Sequence, residues 1–403
     1  MTSPGFLPPG AGIFERPGAR ALLELLNRDG EEARVAGGAV RNALLGIPAE
    51  DIDIAATLAP DAVIKRCAAA GLKTIPTGFE FGTVTVLAGG GSYEVTTLRE
   101  DVETDGRRAK VRFGRDFRAD AARRDFTVNA MSAGLDGRVH DYFGGMDDLR
   151  AGRIRFIGEA RQRIREDFLR TLRFFRFHAQ YGRGPLDTDG LSAVTAERGG
   201  LGILSRERVR QEAMKLLIAP GRAEALQQFS DAGLMPWAFG CIAHLAELER
   251  LGDFRDPVLA LAALCLRTRE DALMLRDKLK LSGKEFERLD RLAAALEAGH
   301  GKPAPIEAAA RRARYRLGTQ TFSELCRIKA LASEGESWEA LGKASALWPQ
   351  PVFPLTGADA MALGIPPGPR LGAILKATEE RWIETNFPED AAAVKAMLEA
   401  AAE

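Results

Sequence analysis

The stretch GGAVRNALLGIPAEDIDI occupies residues 37–54. It opens with two glycines that follow a short β-type run, Ala33 to Ala36, and start a helical run, Ala39 to Leu45. Without Cβ atoms, Gly37 and Gly38 let backbone NH groups approach an anion, and a helix N-terminus adds a favourable field for phosphate. Arg41 then stands where it can grip a triphosphate. A glycine pair before a helix is often only a turn; it gains meaning here from Asp51-Ile52-Asp53-Ile54, where acidic and apolar residues alternate. A strand repeats every two residues, so both carboxylates share one face while Ile52 and Ile54 enter the core. Two carboxylates held this way can bind a pair of divalent cations about 3.5 to 4 Å apart, the spacing used for in-line phosphoryl transfer.

Outward from this stretch, Thr83 to Leu87 and Ser92 to Leu98 are rich in Val, Thr and Tyr and bounded by Gly, as strands are. With the helical stretches between them they predict an α/β or α+β head to about residue 143. Glu94, on the second of these strands, is either a third carboxylate or a surface strand residue. Asp101 to Arg118 mixes charges with Gly106 and Gly114 and reads as a loop or irregular hairpin. In RRDFTVNA (123–130), Asp125 can accept from a ribose hydroxyl and Arg124 can reach phosphate or sugar; the bland alternative is a capped helix. From about Asp147 onward apolar residues recur at helical spacing, as at Ile164, Phe168, Leu172 and Phe175. Gly182 to Gly202, Gly299 to Pro305 and the proline-rich Trp348 to Gly372 interrupt that pattern.

Composition narrows the function classes. At 403 residues the chain exceeds one ordinary core, and about 150 residues per domain implies two or three domains. Hydrophobic residues make up 46%, yet no apolar run approaches the roughly 18 residues of a membrane span. The first twelve residues lack a basic flank and an apolar run, so no secretory signal is read and a cytoplasmic location is expected. Cys67, Cys241, Cys265 and Cys326 form no CxxC pair; neither a zinc site nor a disulfide framework is expected, and the four read as buried hydrophobes. His140, His178, His244 and His300 stand too far apart in sequence for a histidine-rich metallohydrolase motif. Formal net charge is zero, but between Arg150 and Arg183 ten Arg face only Glu159, Glu166 and Asp167, a local excess of seven positive charges. That run is either a solvated helix face or a phosphate-facing surface.

Taken in order, GGAVR (37–41), DID (51–53), EVTTLRED (94–101), RRDFTVNA (123–130), DYFGG (141–145), REDFLRTLRFFRF (165–177) and ERVRQEAMKLL (207–217) resemble the class II tRNA nucleotidyltransferases, or CCA-adding enzymes. These share a polymerase-beta-like head with the bacterial poly(A) polymerases. The far half is similar only loosely, chiefly at LTGADAMALGIPPGPRLGAIL (355–375). The resemblance implies an α+β fold: a nucleotidyltransferase head with a mixed sheet at 1–145, a helical neck that reads the base at 146–230, and a helical body and tail for tRNA at 231–403. It implies two Mg²⁺ at Asp51 and Asp53, with Gly38 and Arg41 on the incoming nucleotide and Arg124, Asp125 and Asn129 holding ribose and phosphates. Arg173 and Arg176 are expected to fix the same nucleotide. Substrates would be CTP, ATP and tRNA, with no membrane and no obligatory protein partner. Two positions depart from the common pattern: Asn42 stands where Asp often follows the Arg, and Phe168 where Pro is frequent.

Asp167 and Arg170, three apart on a predicted helix, would share a face, and the bland reading is an i,i+3 ion pair. In the family the matching Glu-Asp-x-x-Arg motif acts as the template. The chemistry is sound on its own terms. Cytosine and adenine both present an amino donor beside a ring-nitrogen acceptor, so Asp167 accepts from the first and Arg170 donates to the second. Uracil and guanine would set acceptor against acceptor and donor against donor, which a desolvated site rejects. The expected reaction is therefore addition of C, C and A to the tRNA 3′ end. The nearest alternative is a poly(A) polymerase, but residues 78–97 lack the basic Phe-Arg-Leu-x-His type of stretch those enzymes carry. An enzyme adding only CC is disfavoured by the presence of REDVETDGRR (99–108). A non-catalytic RNA-binding protein on the same scaffold is disfavoured by intact Arg41, Asp51, Asp53, Asp167 and Arg170.

Overall fold

The computed structural model describes residues 5–8, 10–49, 51–105, 108–331 and 336–402. They form two compact units, Met1–Ala238 and Phe239–Glu403. Among the described residues the first unit carries nine strands: β1 (Ala33–Ala36), β2 (Asp53–Ala56), β3 (Lys73–Gly78), β4 (Thr83–Ala88), β5 (Gly91–Thr97), β6 (Arg99–Asp105), β7 (Arg108–Phe113), β8 (Ser132–Ala133) and β9 (Val139–His140). Seven of them make one sheet in the order β3-β4-β5-β2-β1-β8-β9, while β6 and β7 pair as a separate hairpin. β2 lies at the middle, antiparallel to β1 and parallel to β5, so the sheet is mixed and the α+β expectation holds.

Alternation explains the core. Val84 and Val86 of β4 are fully buried while their neighbours are only partly so, and Val35, Ile54, Tyr93 and Val95 complete the same interior. Helices α1 (Ala19–Leu26), α2 (Gly38–Leu44) and α3 (Pro60–Ala69) accompany the strands, followed by α4 (Phe117–Ala122) and α5 (Gly145–Ala151). The expected strand at Asp51 begins only at Asp53; Asp51 lies in a bend just before it, yet Ile52 and Ile54 are buried and both carboxylates are not, so the alternation survives.

The helical part of this unit contains α6 (Ala160–Glu166), α7 (Leu169–Tyr181), α8 (Thr188–Ala196), α9 (Arg206–Leu217) and α10 (Arg222–Asp231). α8 lies inside the stretch read as a break, capped by Asp187, whose carboxylate accepts from the Gly190 amide at 2.9 Å. Rings of Phe126 and Phe156 pack against Phe174 of α7 at 6.3 and 5.3 Å, and Phe126 meets Phe177 at 5.3 Å. These contacts fix α7 to the sheet-bearing part and thereby place its arginines.

The second unit is helical from Leu245–Arg250 to Ala391–Ala402. Its most apolar helix, Pro257–Cys265, has eight buried residues and is capped by Asp256. Tyr315, Phe353 and Phe387 surround Trp382 with ring centroids 5.0 to 5.6 Å away. Cys241 and Cys265 are joined by a disulfide, which corrects the expectation of four unlinked cysteines. The helix 257–265 returns its C-terminal end to within a Cα distance of 5.8 Å of Cys241, a closure that spacing in sequence does not announce. Cys67 and Cys326 are buried thiols as expected. Among the described residues no helix is long and apolar enough to cross a membrane.

Candidate active site

A cleft of about 520 Å³ in the first unit is lined by Gly37, Gly38, Arg41, Asp53, Arg123, Arg124, Asp125, Asn129, Asp167, Arg170, Arg173 and Phe177. That volume suits a nucleotide-sized ligand. The cleft brings together ten of the residues singled out from sequence, Gly37 included. Asp51, Glu94 and Arg176 are the others, and none of the three lines it.

The turn before α2 explains how the floor is made. Gly37 adopts φ 72° and ψ −127°, a conformation open to glycine. A Cβ there would stand 2.6 Å from an Nη atom of Arg124, so the missing side chain also makes room for that guanidinium. Arg124 donates to the Asn129 carbonyl at 3.2 Å and to Asp120 at 3.4 Å. Arg41, only 6% exposed, donates from Nε and Nη2 to Asn42 Oδ1, from Nη1 to Asn129 Oδ1 and from Nη2 to the Tyr181 hydroxyl.

The β2–β5 register sets Asp53 directly beside Glu94, with Asp51 two residues upstream. None of the three carboxylates has a hydrogen bond or ion pair among the described residues. Asp53 keeps solvent access, but the protein around it desolvates its carboxyl and, with Glu94 and Asp51 opposing Arg124, holds it above the ordinary carboxylate range. Hard oxygen donors with unrelieved mutual repulsion suit a divalent cation. No three carboxylate, histidine or cysteine side chains among the described residues already surround a common metal position.

Asp125 is the opposite case. Burial alone would push its carboxyl up, but Arg173, the Asn129 amide and the Phe126 NH hold it below the ordinary range. Arg173 donates through Nε at 2.8 Å, with Nη2 at 2.6 Å. Asp125→Ala is expected to cost about 2 kcal/mol, because it leaves a half-buried guanidinium facing Glu212 at 3.7 Å as its remaining partner. Urea unfolding measures this, and a loss below a few tenths of a kcal/mol would mean the pair contributes nothing to the fold.

Asp167 and Arg170 both face the cleft but do not share a helix. α6 ends at Glu166, Asp167 is extended (φ −156°, ψ 104°), and α7 begins after Phe168. The shared helix face expected of them is therefore absent, and the i,i+3 ion pair of the bland reading does not form. Asp167 accepts from Arg208 at 2.7 Å and from the Leu169 NH at 3.1 Å. Arg170 Nη1 donates to Glu166 and to the Arg163 carbonyl, and Nη2 to the Arg123 carbonyl. Its Nε and one Nη2 hydrogen are left without a partner among the described residues, as are further lone pairs of Asp167. Arg176 sits outside the lining, with Nε on Glu212 at 2.5 Å.

The arginine run of 150–183 is less cationic than its sequence. Among the described residues, Asp147, Asp148, Glu197, Glu166, Asp125 and Glu212 pair with all of its arginines but Arg183. Most of these acids lie outside the run. Arg123, Phe177, Tyr181 and Arg208 join the site without a local signal in the sequence; Arg208 lies in ERVRQEAMKLL, 41 residues from its partner.

Known proteins resemble this arrangement throughout. Residues 33–155 match the Poly A polymerase head domain. The human protein named CCA tRNA nucleotidyltransferase 1, mitochondrial, is 34% identical over 391 residues, covering 92% of this chain and 87% of its own length. The CCA-adding enzyme of Lacticaseibacillus paracasei is 32% identical, with 92% of each chain covered. The crystal structure of the Bacillus stearothermophilus CCA-adding enzyme in complex with CTP superposes with a TM-score of 0.75 at 28% identity, covering 96% of this chain and 97% of the other. The head with its mixed sheet, the cleft where Asp53 and Asp167 meet, and likeness along nearly the full length together make the chain a member of the class II CCA-adding enzyme family of tRNA nucleotidyltransferases.

Proposed function

We propose that this protein adds C, C and A to the 3′ end of tRNA from CTP and ATP. The observation that carries the reading is the single cleft that joins Asp53 to Asp167 and Arg170, within a chain that matches CCA-adding enzymes along most of its length. The terminal 3′ hydroxyl of tRNA loses its proton to solvent as its oxygen bonds to the α-phosphorus, the α-phosphorus–oxygen bond to the β-phosphate breaks, and pyrophosphate leaves. Nucleotidyltransferases of this kind generally use divalent metal ions. We assign Asp51 and Asp53 as the ligands of two Mg²⁺, with Glu94 as a candidate third carboxylate. Two such ions would stabilise charge on the attacking and leaving oxygens.

The chain's own groups bind and orient. Gly38 and Arg41 meet the triphosphate, and Arg124, Asp125 and Asn129 hold ribose and phosphates. Asp167 takes the amino hydrogen of C or A while Arg170 donates to the ring nitrogen. Arg173 supports this from Asp125, and Arg176 acts behind it through Glu212. We assign head, neck, and body with tail to 1–145, 146–230 and 231–403, and the cytoplasm as the place of action.

tRNA is held by its backbone, because one enzyme serves many sequences. Exposed arginines of 150–183 and the segment Gly364 to Gly372 are the surfaces we assign to it. Affinity should fall about tenfold or more between 50 and 200 mM salt, as for several phosphate contacts; a filter-binding affinity unchanged over that range would contradict this. The reaction is tested by giving the protein tRNA that ends before CCA, with ATP alone or with CTP and ATP. CCA addition requires CTP before A is incorporated. Extension by ATP alone into a run of A would instead mark a poly(A) polymerase.

A further inference from the structure

Arg41 is nearly buried, lines the cleft, and among the described residues has only neutral hydrogen-bond partners. Asn42 Oδ1 accepts its Nε at 3.1 Å and Nη2 at 2.8 Å, Asn129 Oδ1 accepts Nη1, and the Tyr181 hydroxyl accepts Nη2 at 2.9 Å. Its charge centre also stands 4.2 Å from the Tyr181 ring centroid and 5.2 Å from that of Phe177. Every other cleft arginine, Arg123, Arg124, Arg170 and Arg173, has a carboxylate partner. Arg41 therefore keeps its full charge for an anion, and what fixes its direction is a set of weaker, neutral contacts. Of these, Asn42 and Asn129 come from the sheet-bearing part. Tyr181 comes from the last turn of α7, the helix that also carries Arg170 and Arg173.

We propose that Tyr181 is a positioning residue for the nucleotide triphosphate: its hydroxyl and ring aim Arg41, so phosphate binding depends on the seating of α7. This rests on the reading of Arg41 as a triphosphate contact. Because phosphates are common to both substrates, Tyr181 acts equally on CTP and ATP and leaves base choice alone. A carboxylate at position 42 would accept the same two N–H groups with charge assistance and make Tyr181 dispensable.

The test is single-turnover incorporation onto tRNA lacking CCA, or lacking only the final A, giving apparent dissociation constants for CTP and ATP respectively. Tyr181→Phe keeps the ring and removes one hydrogen bond to a charged group, so both constants should rise about tenfold by a common factor. Selectivity against UTP and GTP should not change. In an Asn42→Asp background the same substitution should cost less than about twofold, the non-additivity expected of two groups holding one guanidinium. A rise below about twofold in the native background, unequal factors for CTP and ATP, or the same loss in both backgrounds would each overturn the proposal. Arg41→Ala separates the two levels. If it leaves both constants unchanged, the reading of Arg41 fails; if it raises them while Tyr181→Phe does not, only the role of Tyr181 fails.

Discussion

Replacing Asp53 by alanine is expected to reduce incorporation of both C and A by on the order of a thousandfold or more, about 4 kcal/mol of barrier, with tRNA affinity nearly unchanged. Asp51→Ala should behave the same way. The carboxylates are not part of any hydrogen bond or ion pair among the described residues, so little in the fold depends on them. Asp53 gives the sharper test. Its carboxyl is held above the ordinary range, chiefly by desolvation and then by Glu94, so at neutral pH the ionised form works against the folded state. For a raised acid that cost is absent below the unfolded-state pKa and complete above the folded one. Asp53→Asn should therefore leave thermal stability equal or higher at pH 7 while abolishing activity. A variant that kept activity would remove Asp53 from the chemistry, and one that unfolded would make it a structural residue.

The second large effect is expected at Asp167. Asp167→Ala should narrow the preference for CTP over UTP by about a hundredfold, since an acceptor carbonyl no longer meets a carboxylate. Loss of the side chain also strands Arg208, which donates to it at 2.7 Å, so some loss of rate with every nucleotide is expected beside the loss of choice. Arg208→Ala distinguishes the two contributions: it leaves the Asp167 carboxylate present but unsteadied, and should lower the rate more than selectivity. Arg170→Ala should impair discrimination as well, and the Asp167→Ala/Arg170→Ala double variant should not equal the sum of the singles. Single-turnover efficiencies with all four nucleotides give these ratios. Equal loss with all four for Asp167→Ala, selectivity intact, would put base choice elsewhere.

What sequence could tell depended on whether the physics was local. The alternation through Asp51-Ile52-Asp53-Ile54 has the period of a strand, and the burial of Ile52 and Ile54 follows it even though Asp51 falls before the strand begins. The Gly-Gly turn was legible because glycine is the residue that the Gly37 backbone suits. The break at Asp167 was not. Apolar spacing runs through Ile164, Phe168, Leu172 and Phe175 as though the helix were continuous, and the Phe168 ring instead lies against Gly200, where a Cβ would stand 1.8 Å from it. Ion pairs were equally hidden: Asp125, Glu197 and Glu212 reach the arginine run from 32 to 48 residues away. The excess charge read along the chain is thus largely cancelled in space. The Cys241–Cys265 link belongs to the same class of long-range fact.

The protein is incubated with Mg²⁺, all four nucleotides and tRNA ending before its last three residues, and the 3′ ends are sequenced. The expected ends are C, C, A in that order and then no further growth, with U and G absent because Asp167 and Arg170 cannot pair with them. A run of A, stopping after CC, incorporation of U or G at comparable frequency, or no extension would contradict that expectation.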